Sequence, residues 1–257
     1  MWNKGLGWRL QRAAVSAAAV ACLIPAGVLL LGSLRAGERA SLGQYEEILL
    51  GSKEFFTWFW NSVGYTAGIL ALCVPVAVLA AYGLSLHRFP GRNALLFLYT
   101  LLMLLPFQAT VVAQYLTLRA LGLLDTPAAI ILPCAFGAFG AFLLTQFMRG
   151  LHGEILEAAR LDGAGWGKVL LHIVCPLCKP AILSLVTLQA ISCWSMVDQP
   201  VVFLRSEALL PLSQRLSGQT FGGAAFAAGV LYAVAPMLLY LCCQKALEEG
   251  ISLTSIK

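Results

Sequence analysis

The chain has 257 residues, of which 60% are hydrophobic and only 11% charged, and its formal net charge is +5. A water-soluble domain carries about 25% charged residues. This composition excludes a chain wrapped entirely in water, makes lipid the main solvent, and turns the positive excess into a matter of membrane topology rather than nucleic-acid binding.

In chain order, Lys4, Arg9 and Arg12 precede an apolar run from Ala13 to Leu34. A signal peptide has an apolar core of about 7–15 residues, shorter than this run, so 13–34 reads as an uncleaved first span. Five further stretches reach the roughly 20 apolar residues that a spanning helix needs: 61–84, 94–118, 127–148, 180–204 and 223–244. An open sheet leaves backbone groups unpaired in lipid, so these stretches are expected to be helices. The short alternating segments of a membrane barrel are not in the sequence. The expected fold class is therefore all-α: a polytopic membrane protein with six transmembrane helices in a single domain, 1–257.

Between the first two spans, "SLGQYEEILLGSKEFFTWFW" mixes acids with aromatics, and Phe55, Phe56, Trp58, Phe59 and Trp60 crowd the entry to the second span. They read either as an interfacial aromatic belt or as a docking surface for a partner outside the cell. Eleven of the 17 Lys and Arg residues fall on one side of the predicted spans, among them Arg88, Arg92, Arg149, Arg160, Lys168, Lys179, Lys245 and Lys257. That side is expected to be cytoplasmic, which puts both termini inside and makes 149–180 the longest cytoplasmic loop.

Polar residues interrupt two spans. Gln108, Thr110 and Gln114 lie in the third, where they serve a pathway or bond within their own helix. Gln189, Ser192, Trp194, Ser195 and Asp198 lie in the fifth. An aromatic face beside hydrogen-bonding groups suits a sugar, and an acid inside a span is costly enough to signal function. Alternatively, Asp198 simply reaches the outer water. Pro25, Pro75, Pro106, Pro133 and Pro236 fall inside spans, where neighbours can re-satisfy the freed carbonyls.

The loop 149–180 carries "EILEAARLDGAGWGKVLLHIVCP". Glu154 to Asp162 predicts a short helix ended by Gly163. Trp166, Val169, Leu170 and Ile173 predict one apolar face on a second helix, stopped by Pro176. Pro180 is placed to open the fifth span. Ala158 and Ala159 offer a low-profile face, with Glu157 and Asp162 beside it. On these features the loop is an amphipathic interfacial helix pair or a docking site.

Two motifs in this loop fail their own tests. "GAGWGKV" has Asp162 where a phosphate loop needs glycine and Val169 where it needs Ser or Thr, so the chain is not expected to bind ATP. "CPLC", Cys175 to Cys178, lacks a second Cys/His pair for zinc and a βαβ setting for redox work. His87, His152 and His172 have no catalytic arrangement in sequence. No metal site, catalytic residue or nucleic-acid partner is expected.

The pattern Glu157-Ala158-Ala159, three residues, Gly163, nine residues, Ile173, and then Pro176 resembles the EAA signature of ABC importer permeases, with Cys175 where that family usually has leucine. "LRALGLLDTPAAIILP", "YEEILLGSKEFFTWFWNSV" with Asn61-Ser62, "LLPLSQRLS" and "QKALEEGISLTSIK" are similar to further segments of the carbohydrate-importer permeases of the maltose type. Together these matches run from about residue 13 to the end.

The resemblance implies a type I importer permease fold in a bacterial cell membrane. It implies a coupling loop in which Glu157, Ala158, Ala159, Asp162 and Gly163 meet a cytoplasmic ATPase dimer that holds ATP and Mg. It also implies a second permease, in a heterodimer with this chain, and a sugar-binding protein outside, with the sugar moved by alternating access. In the family, an Asn and an acid usually follow the counterpart of Trp194. Here Ser195 and Met196 stand there, and the acid is displaced to Asp198. A stand-alone channel or secondary transporter is the alternative that six kinked spans allow, and a membrane enzyme is a third.

Overall fold

The computed structural model describes residues 4–36, 39–87, 89–151, 153–218 and 223–254. Arg88 and Lys257, counted above on the expected cytoplasmic side, and His152 lie outside them. The helices in chain order are α1 (Lys4–Ser33), α2 (Gly43–Glu46), α3 (Lys53–Leu86), α4 (Arg92–Leu104), α5 (Phe107–Ala120), α6 (Pro127–Ala135), α7 (Ala138–Met148), α8 (Gly153–Leu161), α9 (Trp166–Val169), α10 (Cys175–Leu177), α11 (Lys179–Trp194), α12 (Asp198–Phe203), α13 (Leu212–Gly218) and α14 (Gly223–Thr254). Among the described residues the only strands are two-residue pieces, β1 (Arg35–Ala36) and β2 (Arg39–Ala40), paired antiparallel. The fold is all-α.

Four stretches are continuous enough and apolar enough to cross a membrane: Gln11–Ser33, Lys53–Leu86, Pro127–Met148 and Ala224–Lys245. Two bent helix pairs bring the number to as many as six where each pair is one span, both counts being of the described residues. The single span expected over 94–118, with Pro106 inside it, is two helices, α4 and α5, meeting at 100°. Leu105 is extended (ψ 119°) and Pro106 follows it (φ −68°, ψ 152°). Proline has no N–H to donate and forces the residue before it out of helical geometry, so the helix must stop there. The stretch expected over 180–204 also differs. It begins with α11, set at 74° to the α9–α10 segment, and stops at Trp194; after Ser195–Val197 the chain resumes helix as α12. Pro176 lies in α10, which continues the helical backbone of 166–174 through Val174 (φ −68°, ψ −49°) and Cys175 (φ −60°, ψ −46°). The helix expected to stop at Pro176 therefore ends at Leu177.

The chain divides into two compact units. One comprises 1–56 and 216–234. In it Gln44 donates from Nε2 to the carbonyls of Gly32 (3.1 Å) and Arg35, and the Ser33 hydroxyl lies 2.8 Å from the Tyr45 hydroxyl. A Cβ on Gly32 would come 2.8 Å from the Phe226 ring, and one on Gly229 would come 3.0 Å from Leu29. Small residues set the approach of α1 to α14, as they do wherever helices pack in lipid without a hydrophobic drive.

The second unit comprises 57–215 and 235–257. Its core gathers the inner part of α3 (Ala77, Val78, Ala81, Tyr82), α7 (Leu144, Met148), the 149–180 loop (Leu156, Ala159, Val169, Leu170, Val174) and the start of α11 (Cys178, Ala181, Leu185). Gly140 is buried where these helices meet: a Cβ there would lie 3.0 Å from Ala77 Cβ and 3.3 Å from Leu185. Ala77 Cβ has no side-chain freedom, and the Leu185 methyl groups belong to a fully buried side chain. Gly140→Val is expected to overpack this contact by about 1–3 kcal/mol, read as a lower midpoint for thermal unfolding in detergent. Gly140→Ala should cause a smaller shift of the same sign.

Candidate functional site

The loop is anchored on its inward side. Helix α8 closes with a Schellman arrangement: Asp162 N–H donates to Ala158 O (3.0 Å), Ala164 N–H donates to Ala159 O (3.0 Å), and Gly163 takes φ +76°. That left-handed turn costs an L residue about 1–2 kcal/mol and costs glycine nothing comparable. Leu156 and Ala159 face the core, while Glu154, Glu157, Ala158, Asp162 and Gly163 are exposed. The expectation that Ala158 and Ala159 share an outer face is thus corrected. Adjacent helix positions point about 100° apart, so Ala159 faces inward and Ala158 is left outside.

Leu161 and Trp166 stand out at 89% and 67% exposed. The apolar face expected to start at Trp166 starts instead at Val169 and runs through Leu170 and Val174. Residues Leu170–Val174 form a π turn, which adds a residue and carries the face from Ile173, half-buried, to Val174, fully buried. The Tyr82 hydroxyl donates to Trp166 O (3.2 Å), tying the inner end of α3 to the second helix of the loop. Where these apolar groups leave water, burial of Leu156 or Val169 contributes about 1.5–3 kcal/mol each.

A second feature is a cavity of about 530 Å³ at the break between α11 and α12. Gln189, Ser192, Ser195, Asp198 and Gln199 supply its polar wall; Phe107, Pro133, Cys134, Cys193, Met196 and Val197 supply apolar lining. Non-helical backbone at membrane depth is tolerated where it lines a cavity, and Ser195–Val197 does so here. Cys134 Sγ donates to Gln199 Oε1 (2.9 Å), and the Ser195 hydroxyl donates back to Ile191 O (2.8 Å).

Of the predicted pathway residues, Gln189, Ser192, Ser195 and Asp198 are brought together at this cavity, while Gln108, Thr110, Gln114 and Trp194 do not line it. Thr110 donates to Phe107 O (3.1 Å) and receives Gln114 Nε2 (3.1 Å), bonds within α5. Trp194 is buried, edge-on to Phe59 at 5.7 Å, and lines an apolar hollow with Val63, Leu70 and Pro236. Gln199, which follows Asp198 in the same polar run of the sequence, joins it at the cavity, whereas Phe107 and Cys134 had no periodic signal in the sequence to mark them.

On the far side from the loop, the first turns of α3 hold the segment before α13. Trp58 Nε1 donates to Glu207 O (3.2 Å), Asn61 Nδ2 to Ala208 O (2.7 Å) and Leu210 O (3.1 Å), and the Tyr65 hydroxyl to Leu209 O (2.7 Å). Ser62 Oγ accepts from Leu212 N–H (2.9 Å), and the Arg215 guanidinium lies 4.4 Å from the centre of the Trp58 ring. The aromatic cluster therefore divides: Trp58 and Phe55 are buried, whereas Trp60 is 64% exposed.

Beside this contact, Asp125 accepts from Arg205 N–H (2.8 Å), Ser206 N–H (2.9 Å) and the Ser206 hydroxyl (2.5 Å). It adopts φ +60°, a conformation that Asp tolerates better than most residues. The Ser206 hydroxyl bond, followed by the two backbone bonds, holds its carboxyl below the ordinary carboxylate range.

Residues 73–253 match the family of binding-protein-dependent transport system inner membrane components. The arabinooligosaccharides transport system permease protein AraQ of Bacillus subtilis is 27% identical over 254 residues, covering 91% of this chain and 90% of its own. A probable ABC transporter permease of Pyrococcus horikoshii is 35% identical over 185 residues, covering 69% and 67%. Among solved structures, a bacterial ABC transporter involved in import of the acidic polysaccharide alginate superposes with TM-score 0.86 at 24% identity, covering 95% of this chain and 98% of that one. That likeness gives the fold.

Asp125→Ala should release the 205–206 backbone. Hydrogen–deuterium exchange at the Arg205 and Ser206 amides is expected to quicken about five- to tenfold. Because the Ser206 hydroxyl and the two backbone bonds hold the folded carboxyl below the ordinary carboxylate range, the clasp is complete above that range. It is lost only as the pH falls through the lower folded value. After correction for intrinsic rates, protection at these amides should be the same at pH 7 and pH 5.

Proposed function

The chain belongs to the binding-protein-dependent transport system inner membrane components, and on that premise we propose that it is one of two membrane-spanning subunits of an ATP-driven importer for a saccharide. The observation that carries this reading is the 149–180 loop. It presents Glu157, Ala158, Asp162 and Gly163 outward in the EAA spacing while Leu156, Ala159 and Val169 lock it to the inner ends of α3, α7 and α11. A loop that is exposed on one side and bolted to the spans on the other is suited to receive force from a separate protein.

In this reading that protein is a cytoplasmic ATPase dimer holding ATP and Mg, since "GAGWGKV" does not form a phosphate loop. Glu157 meets a basic group of the ATPase, because a carboxylate losing water at an interface requires a donor. The small Ala158 permits close approach. Both termini and the loop are cytoplasmic, following the Lys and Arg excess on that side. A binding protein delivers the sugar from outside, where the segment held by Trp58, Asn61 and Tyr65 lies. A second, similar permease completes the pathway in a heterodimer with this chain. Nucleotide-driven closure of the ATPases moves the loops and opens the pathway outward, and hydrolysis resets it. The saccharide cargo is supported by the arabinooligosaccharide and alginate systems named for relatives.

The test uses the assembled importer in proteoliposomes. Glu157→Lys places a cation against the proposed basic group, and should lower sugar-stimulated ATP hydrolysis and uptake by at least about tenfold. Gly163→Ala strains the turn by about 1–2 kcal/mol and should weaken both in the same direction. Unchanged hydrolysis, uptake and co-purification of the ATPase in both variants would remove the coupling assignment.

A further inference from the structure

The cavity at the α11–α12 break has a charge as well as a shape. Among its described lining residues, Asp198 is ionisable at neutral pH as an anion, and none is Lys, Arg or His. The remaining polar groups are uncharged amides and hydroxyls: Gln189 and Gln199, Ser192 and Ser195. Arg205, the nearest cation along the chain beyond Asp198, is directed to the Tyr115 hydroxyl (3.4 Å) and is not part of the lining. Asp198 itself is exposed, so its carboxylate faces the space rather than a partner buried with it.

We propose that this cavity is an electronegative selectivity point, and that the saccharide passing it is uncharged or carries an amino group, with uronic acids and sugar phosphates turned away by Asp198. This rests on the permease reading above and sharpens its substrate class. A carboxylate within about 6–8 Å of a passing group raises the local concentration of cations and lowers that of anions, and low-dielectric walls strengthen the effect. An uncharged ring loses nothing by passing. Its hydroxyls find acceptors in Asp198 and Gln189 and both donors and acceptors in Gln199 and Ser192, while Phe107 offers an apolar face.

The displaced position of the acid is what makes this possible. Helix α11 ends at Trp194, residues 195–197 are Ser, Met and Val, and the carboxylate first appears at the start of α12, next to the interrupted backbone that lines the cavity. The sole charge therefore stands at the mouth formed by the interrupted backbone.

The test reads the potential in the cavity directly, without depending on what a binding protein delivers. A reporter thiol is introduced as Ser195→Cys in the assembled importer, with Cys134 and Cys193 changed to Ala. The same background without Ser195→Cys is subtracted. Methanethiosulfonate reagents bearing an ammonium or a sulfonate are compared, each normalised to its rate with a free thiol in solution. The ammonium reagent is expected to be favoured at least about tenfold, and Asp198→Asn should bring the ratio back close to unity. Asp198→Ser serves as a second neutral variant where the amide disturbs folding.

A normalised ratio near unity with Asp198 present overturns the proposal, as does a cation preference that survives both neutral variants. Uptake of a uronic-acid oligosaccharide as fast as its uncharged counterpart overturns it too. Failure of the permease reading has a different signature: no ATP-dependent uptake of any saccharide, charged or uncharged, by the intact importer.

Discussion

The constraint on which the rest depends is that a backbone N–H or C=O in hydrocarbon must find a partner within the protein. It turns 60% apolar composition into helices, and it makes every interruption of a helix informative. The interruptions have local causes. Pro106 ends α4 by removing a donor and by forcing Leu105 extended. Gly137, extended at ψ 148°, separates α6 from α7. Ser195–Val197 separates α11 from α12, and there the freed backbone borders a cavity rather than lipid. The same rule that builds the spans thus decides where polar side chains can gather without cost. Gln189, Ser192, Asp198 and Gln199 gather at that place.

The 149–180 loop obeys a different balance, because its helices are short and one side of them is exposed. Its helices are too short to be stable alone, so their stability comes from the face they bury. Leu156, Ala159, Val169, Leu170 and Val174 supply that face. What is left outside, Glu157, Ala158, Asp162 and the glycine turn, is held in place by the packing behind it. Leu161 and Trp166 remain exposed without any such support from the described residues.

Much of this was legible in the sequence. The apolar stretches of spanning length, the helix–turn–helix form of 149–180 and the glycine at its turn follow from residue type and period, while the EAA signature is legible only as a resemblance to a family. The sequence could not separate residues that share a segment but differ in facing. Ala158 and Ala159 look equivalent in a string and point 100° apart on a helix. The π turn at Leu170–Val174 has no composition of its own, so the buried face was assigned one residue early. Trp194 sits among polar residues in sequence yet packs on Phe59, because the helix turns it away from the cavity that Gln189 and Ser192 reach. The Asp125 clasp joins positions 80 residues apart, a distance over which local pattern has no reach.

Helix α3 brings the two ends of the second unit into one mechanical problem. Its 34 residues correspond to about 50 Å of helix, enough to cross the bilayer with a margin on each side. Near its start, Trp58, Asn61, Ser62 and Tyr65 hold residues 207–212 through five hydrogen bonds to backbone groups. Near its end, Ala77, Val78, Ala81 and Tyr82 pack on the loop, and the Tyr82 hydroxyl bonds Trp166 O. A helix is stiff along its axis, and a packed core shifts between discrete arrangements rather than deforming smoothly. A displacement of the loop that keeps these contacts must therefore carry α3 with it, and through α3 the segment at the opposite end. The one weak point on that line is Pro75, inside the helix, where a missing hydrogen bond permits a bend. A displacement of the 149–180 loop thus has a continuous path through α3 to residues 207–212.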